Sequence, residues 1–169
     1  MDTALLVLRL IVGLGFSAHG SQKLFGWFGG YGISGTGAFF ESIGFRPGKR
    51  FALAAGSGEF LGGLLLALGF LGPIGPALMV SVMLVAILTV HRGHGFFAEK
   101  NGGEMAILYI TSAFVVAVVG PGQYSVDVML CLESIFPDIF TWIALGFGTL
   151  GALGALALRR EPRLQPKSS

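Results

Sequence analysis

A single cysteine, Cys131, stands in the 169 residues, which excludes an internal disulfide and any Cys-x-x-Cys redox pair within the chain. A redox role would have to borrow its electron carrier. Charge is scarce as well, with Asp, Glu, Lys and Arg making up 12% of the sequence. There is no Walker loop, no Gly-x-Ser-x-Gly elbow and no dinucleotide fingerprint in a strand-turn-helix context, so the usual sequence carriers of phosphate and acyl-transfer chemistry are missing. His19, His91 and His94 fit no ligand motif, and no metal site is expected from them. Period-two alternation in segments of about ten residues, the mark of a membrane barrel strand, is absent too.

Long apolar runs take the place of all this. The chain is 53% hydrophobic with a mean hydropathy of +0.78. Segments at about 3–25, 51–71, 74–91, 104–120 and 139–158 approach the length a membrane-crossing helix needs, about 20 mostly apolar residues. The expected class is an all-α polytopic membrane protein, with the lipid bilayer as its solvent. The first segment also resembles a signal peptide in its Ser17-Ala18-His19 end, but Asp2 replaces a basic start and Arg9 interrupts the apolar run. It is therefore expected to remain in the mature protein.

Glycine is plentiful, at 28 residues, and falls largely inside the apolar segments. In membranes small residues let helix backbones approach. Ala54, Gly58 and Gly62 form one such ridge, and Ala144, Gly148 and Ala152 another. Either could serve packing within the chain or self-association into a homo-oligomer.

Basic residues sort to one side. With five spans, the first and third loops and the C-terminus share a face holding Arg46, Lys49, Arg50, Arg92, Lys100, Arg159, Arg160, Arg163 and Lys167, which leaves only Arg9 and Lys23 of the 11 Lys and Arg residues. The opposite face carries Asp2, Asp127, Glu133 and Asp138. The bias predicts an N-terminus outside and a basic cytoplasmic tail at 159–169. Because these cations flank spans rather than cluster on a soluble face, nucleic-acid binding is not expected. The proline-bearing stretch 69–76 reads as a tight turn between antiparallel helices. Asn101 followed by Glu104 predicts a capped helix start. The connections 29–48, with Phe39, Phe40, Ile43 and Phe45, and 124–136, with Asp127 and Glu133, are candidates for short interfacial helices.

Polar residues within the apolar segments point to a site, since an ion near the bilayer centre costs about 3 kcal/mol and usually faces a bundle interior. On a helix Arg9, Gly13, Phe16, Gly20 and Lys23 share one face, with His19 at its flank and Gln22 close by. Glu59 sits in the second segment. Arg9 and Glu59 both need partners, and each is a candidate for the other. Glu59 and His19 are the candidates for catalytic work. Arg9, His19, Gln22, Lys23, Glu59 and Glu104 are the candidates for holding a cofactor. The plainer alternatives are a structural ion pair, a Lys23 that snorkels to the interface and a hydrogen-bonded core His19.

The strings LRLIVGLGFSAHGSQKLFGWFGG (8–30), GTGAFFESIGFRPG (35–48), GSGEFLGGLLLALG (56–69), KNGGEMAILYI (100–110) and GPGQYSVD (120–127) resemble the DoxX family of small bacterial and archaeal membrane proteins. The likeness covers about 4–130 and implies a four-helix transmembrane domain; the fifth span expected at 139–158 lies beyond it and rests on hydropathy and charge. The resemblance also implies a place in the cytoplasmic membrane and, for some members, association with oxidoreductase complexes, the family being named for its relation to a subunit of a thiosulfate:quinone oxidoreductase. Arg9, His19, Lys23, Glu59 and Glu104 are the motif positions carried over. The expected role is a membrane subunit, not necessarily catalytic itself, that supports redox chemistry, with a quinone as candidate cofactor and a soluble oxidoreductase as partner. A small proton-coupled transporter and a membrane scaffold are the alternatives.

Overall fold

The computed structural model describes residues 1–160; the expected basic tail lies, past Arg160, outside the described residues. Seven α-helices occur among them, with no strand: α1 (Asp2–Phe25), α2 (Gly32–Ser42), α3 (Gly48–Leu68), α4 (Ile74–Ala86), α5 (Glu104–Val119), α6 (Val126–Met129) and α7 (Asp138–Ala157). A π turn, Ile87–His91, extends α4. Counted with that turn, four helices are long and apolar enough to cross a membrane, Asp2–Phe25, Gly48–Leu68, Ile74–His91 and Asp138–Ala157, while α5 is shorter at 16 residues.

Backbone chemistry sets the helix ends. α1 stops at Gly26 and α3 at Gly69, both left-handed, at φ 75° and 61°, a conformation glycine adopts without the Cβ penalty. The Gly69 stop is why α3 ends three residues before the expected 71. α3 also begins three residues before the expected 51, at Gly48 directly after Pro47, which fits a proline just ahead of the first turn. The expected Asn101 cap is not formed. Asn101 is itself left-handed at φ 61°, a conformation its short amide side chain tolerates, and Gly103 occupies the cap position of α5. Glu104 turns back instead, its Oε2 accepting from Ala98 N–H at 2.9 Å.

Interatomic ties show which helix ends lie together. Arg160 N–H donates to Gly44 O at 2.9 Å and Arg159 Nε to Ile43 O at 2.7 Å, which places the end of α7 beside the α2–α3 connection. At the other end Asp2 Oδ1 accepts from Gln123 N–H at 3.1 Å, and Asp127 accepts from Leu71 and Gly72 N–H at 2.9 and 2.7 Å. The five long helices thus alternate in direction between a basic end, with Arg46, Lys49, Arg50, Arg92, Lys100, Arg159 and Arg160, and an acidic end, with Asp2, Asp127, Glu133 and Asp138.

α4 lies at the centre, packed against α3, α5 and α7, while α1 packs against α3. The core joins Phe16, Leu66, Met79, Val80, Met83, Ala113, Val116 and Leu145. Both small-residue ridges are used inside the bundle. A Cβ on Gly58 would meet Val82 and one on Gly62 would meet Leu78, while Gly148 lies against the Ala77 backbone and Ala152 is buried. α7 turns Trp142, Ile143, Phe147, Leu150 and Leu153 outward, the lipid-facing surface of a bundle helix.

The two expected interfacial segments do contain short helices: α2 in 29–48, and α6 with a 3-10 turn, Glu133–Ile135, in 124–136.

Candidate functional site: a buried ion pair beside an apolar pocket

Glycines bring α1 and α3 into backbone contact, and this contact puts the site together. A Cβ on Gly13 would collide with Gly63 and Ala67, and one on Gly20 with Gly56 and Phe60. The expected face of Arg9, Gly13, Phe16 and Gly20 is indeed the buried one. At this antiparallel register Lys23 comes level with Glu59.

Lys23 Nζ donates to Glu59 Oε1, the one ion pair among the described residues. Glu59 is 1% exposed, whereas the Lys23 side chain keeps 31% of its surface. A carboxylate taken out of water requires a cation and further donors to offset its lost hydration. Glu59 has the cation, but its Oε2 is buried with no hydrogen-bond partner. Buried polar atoms are paired in the great majority of cases, so an orphan carboxylate oxygen marks a position with unused bonding capacity.

Glu59 also lines a pocket of about 280 Å³ among α1, α2, α3, α4 and α7. Its walls are mainly apolar: Phe39, Phe40, Phe45 and Phe51 on one side, Val82 and Ala55 on another. Among the described residues Lys23 and Glu59 are the only ionisable groups lining it. The π turn contributes Thr89 and Val90, and such turns occur often at functional sites. Lys23 also lines a second, wider cavity of about 570 Å³ with Gln22, Tyr31 and Thr36. Lys23 and Phe39 border both.

Arg9 is not part of this site, and the expected Arg9–Glu59 partnership is overturned. Arg9 lies at the acidic end, 1% exposed, against Gly69, whereas Glu59 is ten residues from Gly69 along α3, about 15 Å at the helical rise. Its guanidinium donates to the carbonyls of Pro121 and Tyr124, and Asp127 supplies the opposite charge nearby. Antiparallel packing is the reason: α1 begins at the acidic end and α3 at the basic end, so an early residue of one meets a late residue of the other.

The remaining candidates separate likewise. His19 is exposed, with Nδ1 3.2 Å from Gln22 Oε1 and its ring edge-on to Tyr109 at 6.0 Å; it does not line the pocket. Gln22 also donates to Phe28 O at 3.2 Å. Glu104 holds the α4–α5 connection through Ala98, and His91 Nδ1 stands 2.8 Å from Asn101 O in the same connection. Sequence reasoning thus named the ion pair's two members but matched Glu59 to the wrong cation. It noted Phe39, Phe40 and Phe45 only as an apolar cluster, and did not single out buried Asp127. An acid and several phenylalanines in connections otherwise rich in turn residues were the available signals.

No curated protein and no solved structure matches the chain. The DoxX family profile matches residues 4–92, a stretch that holds α1 to α4, both members of the ion pair and nearly all of the pocket wall. The matched stretch is more than half of the 169 residues, and the chain belongs to the DoxX family.

Proposed function

We propose that this integral membrane protein is a subunit that binds a quinone headgroup in the pocket beside Lys23 and Glu59 and so supports the redox chemistry of a soluble oxidoreductase. The observation that carries this reading is the buried Glu59 carboxylate, with one oxygen held by Lys23 and the other free of partners at the wall of an aromatic pocket. Pockets for small ligands are mostly apolar, with a few fixed polar groups. A volume of about 280 Å³ sits near the lower end of that range, roughly 300 Å³, which suits a substituted ring better than a whole isoprenoid chain.

A bound quinone would supply a carrier of two electrons and two protons, the electrons passing to or from the partner's redox group. The chain's own residues hold and orient. Lys23 would donate to a ring carbonyl and favour the negative charge that grows there on reduction, while Glu59 would accept from a ring hydroxyl and exchange its proton. The phenylalanines exclude water. In the same reading the basic end faces the cytoplasm and the N-terminus lies outside, as the positive-inside rule requires. A reporter fused after Ser169 should then be active only in the cytoplasm.

Titrating the purified protein in nanodiscs with a decyl-tailed benzoquinone tests the site. Saturable binding is expected, weakened at least about tenfold when Ala55→Phe fills the pocket or Glu59→Leu removes its polar wall, since a misplaced ring loses both contacts. Leu153→Phe on the outward face of α7 should bind like wild type. Unchanged binding in Ala55→Phe would overturn the reading.

One observation favours a second reading. Lys23 borders both the inner pocket and the wider cavity, the arrangement a proton-coupled permeation unit needs. That reading requires pH-dependent flux into vesicles containing this protein alone, lost in Glu59→Gln. Absence of flux across a broad panel of solutes would reject it.

A further inference from the structure

A third cavity, of about 340 Å³, opens at the basic end between the start of α3 and the end of α7. Three arginines line it: Arg46 and Arg50 from the first turn of α3 and its approach, and Arg160 from beyond α7. Below them the wall is apolar, made by Phe51, Ala54 and Leu158. Among the described residues no carboxylate lines it. Glu41, the acid closest in sequence to Arg46, accepts from Gly48 N–H at 3.0 Å and takes no part in the lining. None of the three arginines forms an ion pair among the described residues.

We infer that this cavity binds the phosphate headgroup of an anionic phospholipid. Each element of that ligand has a counterpart. Guanidinium groups match phosphate oxygens in geometry and charge, and the positive end of the α3 dipole points the same way. The cavity lies at the ends of two membrane-length helices, the depth at which lipid phosphates sit. Phe51, Ala54 and Leu158 follow on the bilayer side, where the glycerol and first methylenes of an acyl chain would lie. Basic pockets between membrane helices hold anionic headgroups by this combination. A free phosphate would use the arginines alone and gain nothing from the apolar wall.

The α7 end is fixed for this purpose by Arg159, which donates to Ile43 O at 2.7 Å, and by the Arg160 N–H bond to Gly44 O at 2.9 Å. These ties hold Arg160 opposite Arg46 and Arg50. The inference does not depend on what the inner pocket binds, although Phe51 and Ala54 line both cavities.

The test is native mass spectrometry of the full-length protein released from nanodiscs containing equal phosphatidylglycerol and phosphatidylcholine, paired with thermal unfolding in detergent supplemented with either lipid or with sodium phosphate. Wild type should retain phosphatidylglycerol over phosphatidylcholine by at least about tenfold, at roughly fivefold per arginine near the headgroups. The triple variant Arg46→Gln, Arg50→Gln, Arg160→Gln should bring the ratio close to one. Arg50→Gln alone, at an exposed position, should lower it about fivefold and guards against misfolding of the triple variant. Phosphatidylglycerol should raise the unfolding temperature where sodium phosphate does not. Equal retention of the two lipids, a ratio unmoved in both variants, or equal stabilisation by sodium phosphate would each overturn the inference.

Discussion

The two ends of the α1–α3 pair each bury an ion with one polar atom left without a hydrogen-bond partner, Arg9 Nε and Glu59 Oε2, and differ in what holds the rest of it. At the acidic end Arg9 is enclosed by the Pro121 and Tyr124 carbonyls, with Gly69 against it and Asp127 near. At the basic end Glu59 is held through one oxygen by Lys23, its other oxygen is buried without a hydrogen-bond partner, and the residue lines the inner pocket. Backbone carbonyls belong to the fold and cannot leave. A lysine with 31% of its side chain exposed can. Arg9 therefore fastens the α5–α7 connection to the first helix, while Glu59 depends on a single, partly exposed cation. Ions inside a membrane bundle are biased toward function, and the proposed reading places that function at Glu59.

Removing Arg9 should give the largest effect. Arg9→Met leaves the Pro121 and Tyr124 carbonyls without their donor, and losing one side of a buried charged contact costs about 3–5 kcal/mol. Thermal unfolding in detergent should show a strongly lowered midpoint, with quinone affinity unchanged in the protein that remains folded. A loss of affinity at intact stability would erase the contrast between the ends.

The helix contact that sets both ends comes next. Gly20→Ala places a methyl against the backbone of Phe60 and Gly56, neither of which can rotate away, so overpacking should cost about 1–3 kcal/mol. Because this change shifts Lys23 relative to Glu59, it should also weaken quinone binding. Gly146→Ala, which meets nothing within 4 Å, is the matched control.

Asp127→Asn, which retains one acceptor for the Leu71 and Gly72 N–H groups but loses the other and the charge opposite Arg9, should cost about 1–3 kcal/mol. Hydrogen exchange at Leu71 and Gly72 should quicken without change at the pocket. Glu59→Gln should be milder for stability, about 1–2 kcal/mol, because it removes a charged hydrogen bond but leaves Lys23 able to turn toward water. Its affinity loss should exceed its stability loss, the reverse of Arg9→Met.

The sequence carried the helices because each is a long apolar run bounded by a glycine or a proline, signals that act locally. The ion pair was less legible. Arg9 and Glu59 looked like partners when only charge and membrane depth were weighed. The antiparallel register was implied by the same topology, and it pairs Gly20 with Gly56 and Phe60, bringing Lys23 rather than Arg9 to Glu59. The pocket was legible least, since its walls come from α1, α2, α3, α4 and α7 at once and no local pattern encodes their meeting. The carbonyl cage around Arg9 belongs to the same class, as backbone acceptors at Pro121 and Tyr124 leave no trace in residue type.

The shortness of α5 bears on the bilayer itself. Its 16 residues span about 24 Å at the helical rise, against a hydrocarbon core of about 30 Å. The connection before it closes several of its own hydrogen bonds, among them Gly103 N–H on Gly95 O and Glu104 N–H on Phe96 O, which lowers the cost of bringing it toward lipid. Next to α5 the membrane must thin or that connection must sink, at a cost of fractions of a kcal/mol per Å of mismatch. Either adjustment is set by one helix rather than by the bundle as a whole.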